Sequence, residues 1–424
     1  MNNTVDRITL LFLKLKERGF FHLIISNYSV QFIVFGSSLL VAKIMSPTDV
    51  GIIKTIETFA NMAIVLGGGG VIFAILKVIP EQKDSAIRRL SLLFSLKYAT
   101  FFSLVIFLLF NLMAYAGLVS KDSKLIYWFH QYSFIIVPSV LTMLLIRYYQ
   151  AIDRFKRIST VVFYLKLISA AFVLSFTYFF FIRGYVLSMV ISTVLATLVL
   201  LYDLRKELID KTKSERHSEI RQRIMVLSKT AFTAQVIDQL KLQSGFLIAN
   251  YVILDREIFG FYAFALILTQ GINIIASSVQ QFIIPKMSEA SANITLFFRK
   301  FRMFEKRFNV IAVAIFVLAQ LFLPLAVTVI FGDKYDGAIL ILRIMLLGWL
   351  IEALYALKGV IFLSLGKMHY IGFASLTIFL ISIPVIYYLD VKFAAMGAAC
   401  AYVFQNLVSL GVLNYFQYRV SKHS

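Results

Sequence analysis

Charge is scarce in this chain and cysteine scarcer still. Of 424 residues, one is cysteine, two are tryptophan, five are histidine and six are proline. A lone Cys400 excludes any disulfide within the chain. The five histidines, His22, His130, His217, His369 and His423, show no metal-ligand spacing, so no metal is expected. No Gly-rich loop of the G-x-x-x-x-G-K type is present, which removes the usual nucleotide cradle. Charged residues make up 15% of the chain, against about 25% in soluble domains. The acids of the outer loops between apolar runs (Asp49, Asp122, Asp255, Glu257, Asp333, Asp336, Asp390) stand one or two to a loop. Paired carboxylates acting as acid and base need a fixed separation on a rigid frame, and no such pair is visible. The expectation is a protein with no catalytic residue, no metal and no cofactor.

What is abundant is apolar side chain. It makes up 60% of the chain, 41 residues are phenylalanine, and the mean hydropathy is +0.84. One globule cannot hide that much, so lipid must cover part of it. Apolar runs fall at about 22–42, 56–79, 90–117, 126–149, 160–182, 184–202, 230–253, 259–285, 308–331, 338–365, 370–389 and 393–417. The stretch 160–202 would reach roughly 64 Å as one helix, about twice the hydrocarbon thickness. It must fold back, and Arg183-Gly184 is the natural turn. The expected fold is an all-α integral membrane protein with about 12 spans. The first apolar stretch continues past Ser37-Ser38 without a small-residue cleavage site, so it reads as a span that stays.

The net charge of +20 is not evenly spread. Placing the N-terminus in the cytoplasm puts 29 of the 42 Lys and Arg in cytoplasmic segments and 8 in outer ones. Excess cytoplasmic Lys and Arg is the known orientation signal, so both termini read as cytoplasmic. The basicity therefore faces anionic lipid headgroups. No loop is long enough for a nucleic-acid-binding domain, and no nucleic acid is expected.

The longest polar stretch, 203–229, lies mid-chain with six spans on either side. It divides the chain into an N-terminal bundle (1–202), a charged cytoplasmic linker (203–229) and a C-terminal bundle (230–424). The halves match weakly: LLVAKIMSPTDVGIIKTIETF, with Gly51 and a later Ile79-Pro80, against FLIANYVILDREIFGFYAFAL, with Gly260 and a later Ile284-Pro285. Both begin on the same side, so this is a parallel repeat of the kind transporters use.

Ionisable groups inside spans are costly and usually face a cavity or a partner. The seventh span is the most polar, with Gln235, Asp238, Gln239, Lys241 and Gln243. Asp238 and Lys241 are three apart and can pair, as can Lys54 and Glu57. Gln235, Gln239 and Gln243 are candidates to line a polar cavity. Lys97, Lys166, Arg343 and Lys358 are further cationic candidates, and Glu352 joins Asp238 and Glu57 as an ion-pair or coupling acid. Surplus positive charge in a low dielectric suits an anionic solute. Pro138, Pro324 and Pro384 predict kinks. The run Gly67, Gly68, Gly69 and Gly70 lies within a span and permits close packing or a hinge.

VAKIMSPTDVGIIKTIETF followed by the glycine run and ILKVIPE resembles the first two spans of bacterial polysaccharide repeat-unit flippases of the Wzx type. QLKLQSGFLIANYVILDREIFGFYAFAL with FIIPKMSE resembles their seventh and eighth spans. IFGDKYDGAILILRIMLLGWLIEALYALKGVIFLSLGKMHY resembles their tenth-span region. The resemblance runs through the chain in order. It implies the fold of multidrug/oligosaccharidyl-lipid/polysaccharide exporters, two six-helix bundles forming a V, in a bacterial inner membrane. It implies translocation of undecaprenyl-diphosphate-linked glycan (O-antigen, capsule or related polysaccharide) to the outer leaflet. Membrane lipids would then be partners, with the polysaccharide polymerase and chain-length regulator as candidate protein partners. In that fold the first, second, seventh and eighth spans line the cleft, which favours Lys54, Glu57, Asp238 and Lys241. The lipid II branch typically carries an arginine cluster in its first two spans, where this chain has only Lys43 and Lys54. A proton- or sodium-coupled drug exporter of the same fold stays open, as does a membrane glycan polymerase or transferase.

Overall fold

The computed structural model describes residues 20–82, 84–205, 207, 217–290, 294–367 and 369–422. Every regular element among them is helical. The first half holds α1 (Phe20–Ile44), α2 (Pro47–Gly67), α3 (Val71–Glu81), α4 (Ser85–Tyr115), α5 (Ser123–Tyr132), α6 (Ile136–Ala151) and α7 (Phe155–Asp203). The second holds α8 (His217–Val252), α9 (Arg256–Ala290), α10 (Ile294–Phe331), α11 (Asp336–Ala356), α12 (Lys358–Ser364) and α13 (His369–Lys422).

Two of these helices are hairpins. α7 reverses at Phe181 (φ 50°, ψ −135°) and α13 at Ala394 (φ 48°, ψ −129°). The turn in α7 thus sits two residues before the Arg183-Gly184 expected from sequence. Gly184 has another task there: a Cβ on it would lie 1.9 Å from the Phe176 carbonyl oxygen, so glycine lets the returning helix pass. Seven stretches are long and apolar enough to cross a membrane, and three of them (Phe155–Asp203, Ile294–Ser364, His369–Lys422) each contain two crossings. With α1 and the polar α8, twelve spans result among the described residues. This is a multi-pass membrane protein. Phe101, Leu104, Leu108 and Leu112 along one face of α4 are exposed, as are Leu318, Leu321, Phe322 and Leu325 on α10. Such stripes are stable only against lipid or another apolar surface.

Short polar signals set the helix ends. Ser46 accepts the amide of Asp49 at 3.1 Å and donates to its carboxylate at 2.9 Å, with Pro47 in the first helical position of α2. Ser46 is thus the N-cap of α2, with proline at the position that lacks an amide partner anyway. Asp84 and Asp122 cap α4 and α5 through the amides of Ala86 and Lys124. Asp255 takes the amides of Glu257 and Ile258 at the start of α9. Helix C-termini close in left-handed residues. Gly117, Asp153 and Gly366 have φ of 74°, 60° and 69°. The next amide in each case, from Leu118, Arg154 or Lys367, reaches back five residues to Met113, Tyr149 or Phe362. That is the Schellman arrangement.

These devices recur between the halves. Ser46 and Asp255 cap equivalent helices, five residues before Gly51 and Gly260. Asp153 and Gly366 close equivalent spans, as do Gly117 and Gly332, both left-handed. Gly397 repeats Gly184: its Cβ would lie 1.9 Å from the Leu389 carbonyl oxygen, again three residues after the reversal. The parallel repeat is therefore written in the turns, where backbone conformation restricts residue choice. It is faint in the apolar spans, where many residues serve.

Two compact units form, and they do not follow the halves strictly. The first comprises Met1–Leu40 and Ile56–Val236, the second Val41–Thr55 and Ile237–Ser424. The packing boundary lies inside α8 rather than in the polar segment 203–229, of which 206 and 208–216 fall outside the described residues. The reason is local. The first turns of α8 pack in the first unit: a Cβ on Gly70 (φ 78°) would sit 2.0 Å from the Ser228 carbonyl oxygen, and Phe102 packs edge-on against Phe232. The chain around Met45 belongs to the second unit, where the buried Tyr335 hydroxyl donates to the Ala42 carbonyl at 2.9 Å.

Candidate functional site

The second unit contains a polar cavity of about 570 Å³. Its walls come from α8, α9, α11 and α13, with Gly359 of α12. Two polar stripes line it at helical spacing. One is Gln270, Asn273, Ser277 and Gln280 on α9; the other is Tyr402, Gln405, Asn406 and Ser409 on α13. Residues three, four and seven apart share a helix face, so each stripe presents one polar edge.

Two charged side chains stand in the lining, Lys241 and Glu352. Lys241 pairs with Asp238 one turn earlier, Nζ to Oδ1 3.2 Å, and Ser375 donates to the same Oδ1 at 3.4 Å. Gln405 donates to the Lys241 carbonyl at 2.9 Å, which ties α13 to α8 beside the pair. Glu352 accepts from Asn273 at 2.8 Å through one oxygen and from the Tyr402 hydroxyl at 2.6 Å through the other. Both oxygens of Glu352 are thus held by neutral donors from two different helices. Tyr355 donates to Asn406 at 2.6 Å and Gln280 to the Ala356 carbonyl at 2.6 Å. On α2, Lys54 donates to the lining Gln270 at 2.8 Å. The lysines at 54 and 241 therefore attach to this cavity, one through Gln270 and one directly.

The equivalent region of the first unit is packed differently. The Gly184/Gly397 and Gly51/Gly260 equivalences align Tyr185 with Ala398 and Glu57 with Leu266. Ala398 and Leu266 line the cavity. In the first unit the buried Tyr185 hydroxyl donates to Glu57, and its ring stacks on Tyr132 with centroids 6.2 Å apart. A phenol fills there what an alanine leaves open in the second unit.

The remaining sequence candidates lie elsewhere. Gln243 is in the lining, whereas Gln235 and Gln239 are half-buried and outside it. Lys97, Lys166 and Arg343 are exposed and outside the lining. Lys358 is buried at the break between α11 and α12, where it binds Glu305 and Gln417, each at 2.8 Å. It closes a helix break rather than facing the cavity. Gly67–Gly70 form the turn between α2 and α3, with Gly69 and Gly70 left-handed and buried against neighbouring helices. Asn273, Tyr355, Tyr402, Gln405 and Asn406 were not singled out from the sequence, because each lies on a helix without a dense run of polar residues like that of α8. Their spacing of three and four within apolar spans was the available signal.

Residues 17–291 match the family described as polysaccharide biosynthesis protein. No individually curated protein has a matching sequence. Several solved structures share the fold. An inward-facing multidrug-resistance MATE transporter of the MOP superfamily superposes with a TM-score of 0.70 at 12% identity, covering 93% of this chain and 95% of its own. The lipid II flippase MurJ, in an inward closed conformation, gives 0.69 at 15% identity, covering 93% and 87%. The eukaryotic MATE transporter AtDTX14 gives 0.69 at 11% identity, covering 96% of each. At such identities the likeness concerns the fold, two bundles of six helices, and the family rests on the match over 17–291. The chain belongs to the polysaccharide biosynthesis protein family, built on the fold of the MATE and MurJ structures.

Proposed function

We propose that the protein is a flippase that carries undecaprenyl-diphosphate-linked oligosaccharide from the cytoplasmic to the outer leaflet of a bacterial inner membrane, by alternating access and with both termini cytoplasmic. The observation that carries this reading is a polar cavity with an attached pair of lysines, in a member of a polysaccharide biosynthesis family. Lys241 and Lys54 would attract the diphosphate, the most concentrated charge on such a cargo. The Gln, Asn and Tyr stripes suit sugar hydroxyls, which both donate and accept. Asp238 restrains Lys241 until a stronger anion competes for it. The acyl chain stays in the bilayer. Transport rather than catalysis fits the scattered acids of the loops. Which polysaccharide the cargo serves, O-antigen or capsule, is set by sugars that this cavity accepts through generic hydrogen bonds.

The test is sidedness labelling of the lipid-linked oligosaccharide in vesicles from depleted cells. Accumulation on the cytoplasmic face with loss of surface polymer is the expected result. Normal translocation with unpolymerised glycan outside would indicate a polymerase or transferase and refute the flippase. Lys241→Ala with Lys54→Ala should abolish export at normal protein levels, and unchanged export would remove these lysines from the mechanism. A second reading has one observation in its favour, the carboxylate of Glu352 held by Asn273 and Tyr402 inside the cavity. Such a group suits proton or sodium coupling, as in a drug exporter of the same fold. Drug resistance on overexpression, with surface glycan intact after deletion, would favour that alternative.

A further inference from the structure

A second pocket lies in the first unit, at the end that the loop charges assign to the cytoplasm. It has a volume of about 240 Å³ between the last two turns of α6 and the first two of α7. Its apolar walls are Met143, Ile146, Ile158 and Val162, and its polar groups include Arg147 and Gln150. We propose that this pocket binds the phosphate of an anionic membrane glycerophospholipid, with Arg147 as the charged ligand and the apolar walls seating the first acyl methylenes.

The charge arrangement carries the argument. Four cations cluster at this end: Arg147, Arg154, Lys156 and Arg157. Two carboxylates near them are spent on others, while Asp153, in the turn between α6 and α7, is exposed. Glu207 pairs with Arg154 at 2.6 Å and accepts from the Tyr148 hydroxyl at 2.8 Å. Asp203 pairs with Arg157 and accepts from the Tyr149 hydroxyl. Burial alone would push the Asp203 carboxyl up, yet the hydrogen bonds from Arg157 and Tyr149 outweigh it and hold it below the usual carboxylate range. Asp203 is thus ionised and committed. Arg147 is half-buried, and among the described residues its side chain meets one polar partner, the Gln150 Oε1 at 2.9 Å.

A guanidinium carries five N–H donors, so one bond to an amide leaves most of them unused. Gln150 spends its oxygen on Arg147, which leaves its NH2 as a further donor. The polar side of the pocket is therefore rich in donors and positive, a match for a phosphate oxygen. A half-buried cation without a counter-anion is costly, and a bound phosphate would remove that cost. The volume equals about eight waters at ~30 Å³ each, more than a simple anion needs and suited to phosphate with part of its glycerol. Lysine and arginine at a span end sit at headgroup depth, where anionic phospholipid is concentrated.

The test is native mass spectrometry of the delipidated full-length protein in detergent, titrated with phosphatidylglycerol. One molecule should be retained with highest affinity. Arg147→Gln should weaken it at least about tenfold. Met143→Trp, which fills the pocket and leaves the charge in place, should do the same and carries the test if Arg147→Gln misfolds. Lys156→Gln, at an exposed cation in the first turn of α7, should leave it unchanged. Equal retention in Arg147→Gln and wild type would overturn the proposal. So would an equal loss in Lys156→Gln, which would mean diffuse attraction. Displacement by millimolar inorganic phosphate would make this a soluble-anion site, and displacement by equimolar polyprenyl diphosphate would assign it to the cargo. Either result overturns the phospholipid assignment.

Discussion

The two glycines that align in the repeat, Gly51 and Gly260, meet within the second unit, and replacing each by alanine should have unequal effects. A Cβ on Gly51 would lie 3.2 Å from the Gly260 Cα and 3.2 Å from the Phe259 ring. That is tight, and a shift of a few tenths of an ångström relieves it. A Cβ on Gly260 would lie 2.1 Å from the Pro47 carbonyl oxygen and 2.4 Å from its carbon. Ordinary contact requires about 1 Å more, and the obstacle is backbone in the first turn of α2. Overpacking of a tight site costs about 1–3 kcal/mol, and a backbone obstacle puts Gly260→Ala near the upper end. Replacing a helical glycine by alanine returns about 1 kcal/mol. The net is roughly 2 kcal/mol destabilising for Gly260→Ala and near zero for Gly51→Ala, since propensity offsets its milder crowding. A unit of about 200 residues should then lose about 4–8 °C in Tm for Gly260→Ala. Fluorescence-detected size-exclusion chromatography after graded heating in detergent measures this. Equal Tm values for the two variants would refute the reasoning, because they share chemistry and differ only in what their methyl meets.

Gly70→Ala joins a left-handed φ to a 2.0 Å clash with the Ser228 carbonyl oxygen; it should cost about 3 kcal/mol and lower the yield of folded protein, read by the same chromatography. Lys358→Ala leaves the half-buried Glu305 without its cation and should destabilise by about 1–3 kcal/mol, with the Lys358→Ala/Glu305→Ala double variant recovering part of the loss in thermal melts. Asp390 lies one helical turn before the Ala394 reversal of α13, buried and with neither carboxylate oxygen partnered among the described residues, and burial pushes its pKa up to about 8. The folded state thus holds a proton that the unfolded chain releases, so stability falls as pH rises from about 4 to 8 and is level above that. Asp390→Asn should remove this fall, raising Tm relative to wild type at pH 9 and changing it little at pH 4; an unchanged Tm at pH 9 would remove Asp390 as its source.

Of the charged candidates in spans, Lys241 and Glu352 stand in the cavity lining, and Lys97, Lys166, Arg343 and Lys358 do not. Asp238 and Lys241 stand three apart in an apolar span, and that spacing alone brings them together, as the 3.2 Å pair bears witness. Lys54 and Glu57 have the same spacing, but each also has a partner that no local rule names: Gln270 for Lys54 and Tyr185 for Glu57. Lys358 illustrates the opposite case. As a lysine in an apolar run it resembled a cavity cation, and it is occupied by Glu305, 53 residues away in sequence. A charge in a span indicates that some partner exists without indicating which.

The sequence by itself determined the class of the protein. Hydropathy forces the chain into a bilayer, and the excess length of 160–202 demands a reversal because helix rise and hydrocarbon thickness are constants. Capping residues such as Ser46 and Asp255 set helix starts through contacts three residues long. Only the tertiary structure decided that α8 is shared between two compact units, and that Ala398 lines a cavity while the equivalent Tyr185 is buried against Glu57 and Tyr132. Both depend on what faces a residue from a distant helix. Tyr185 and Ala398 are two ordinary side chains in sequence, and only the surrounding helices decide that the first is packed against Glu57 and Tyr132 while the second lines about 570 Å³ of polar space.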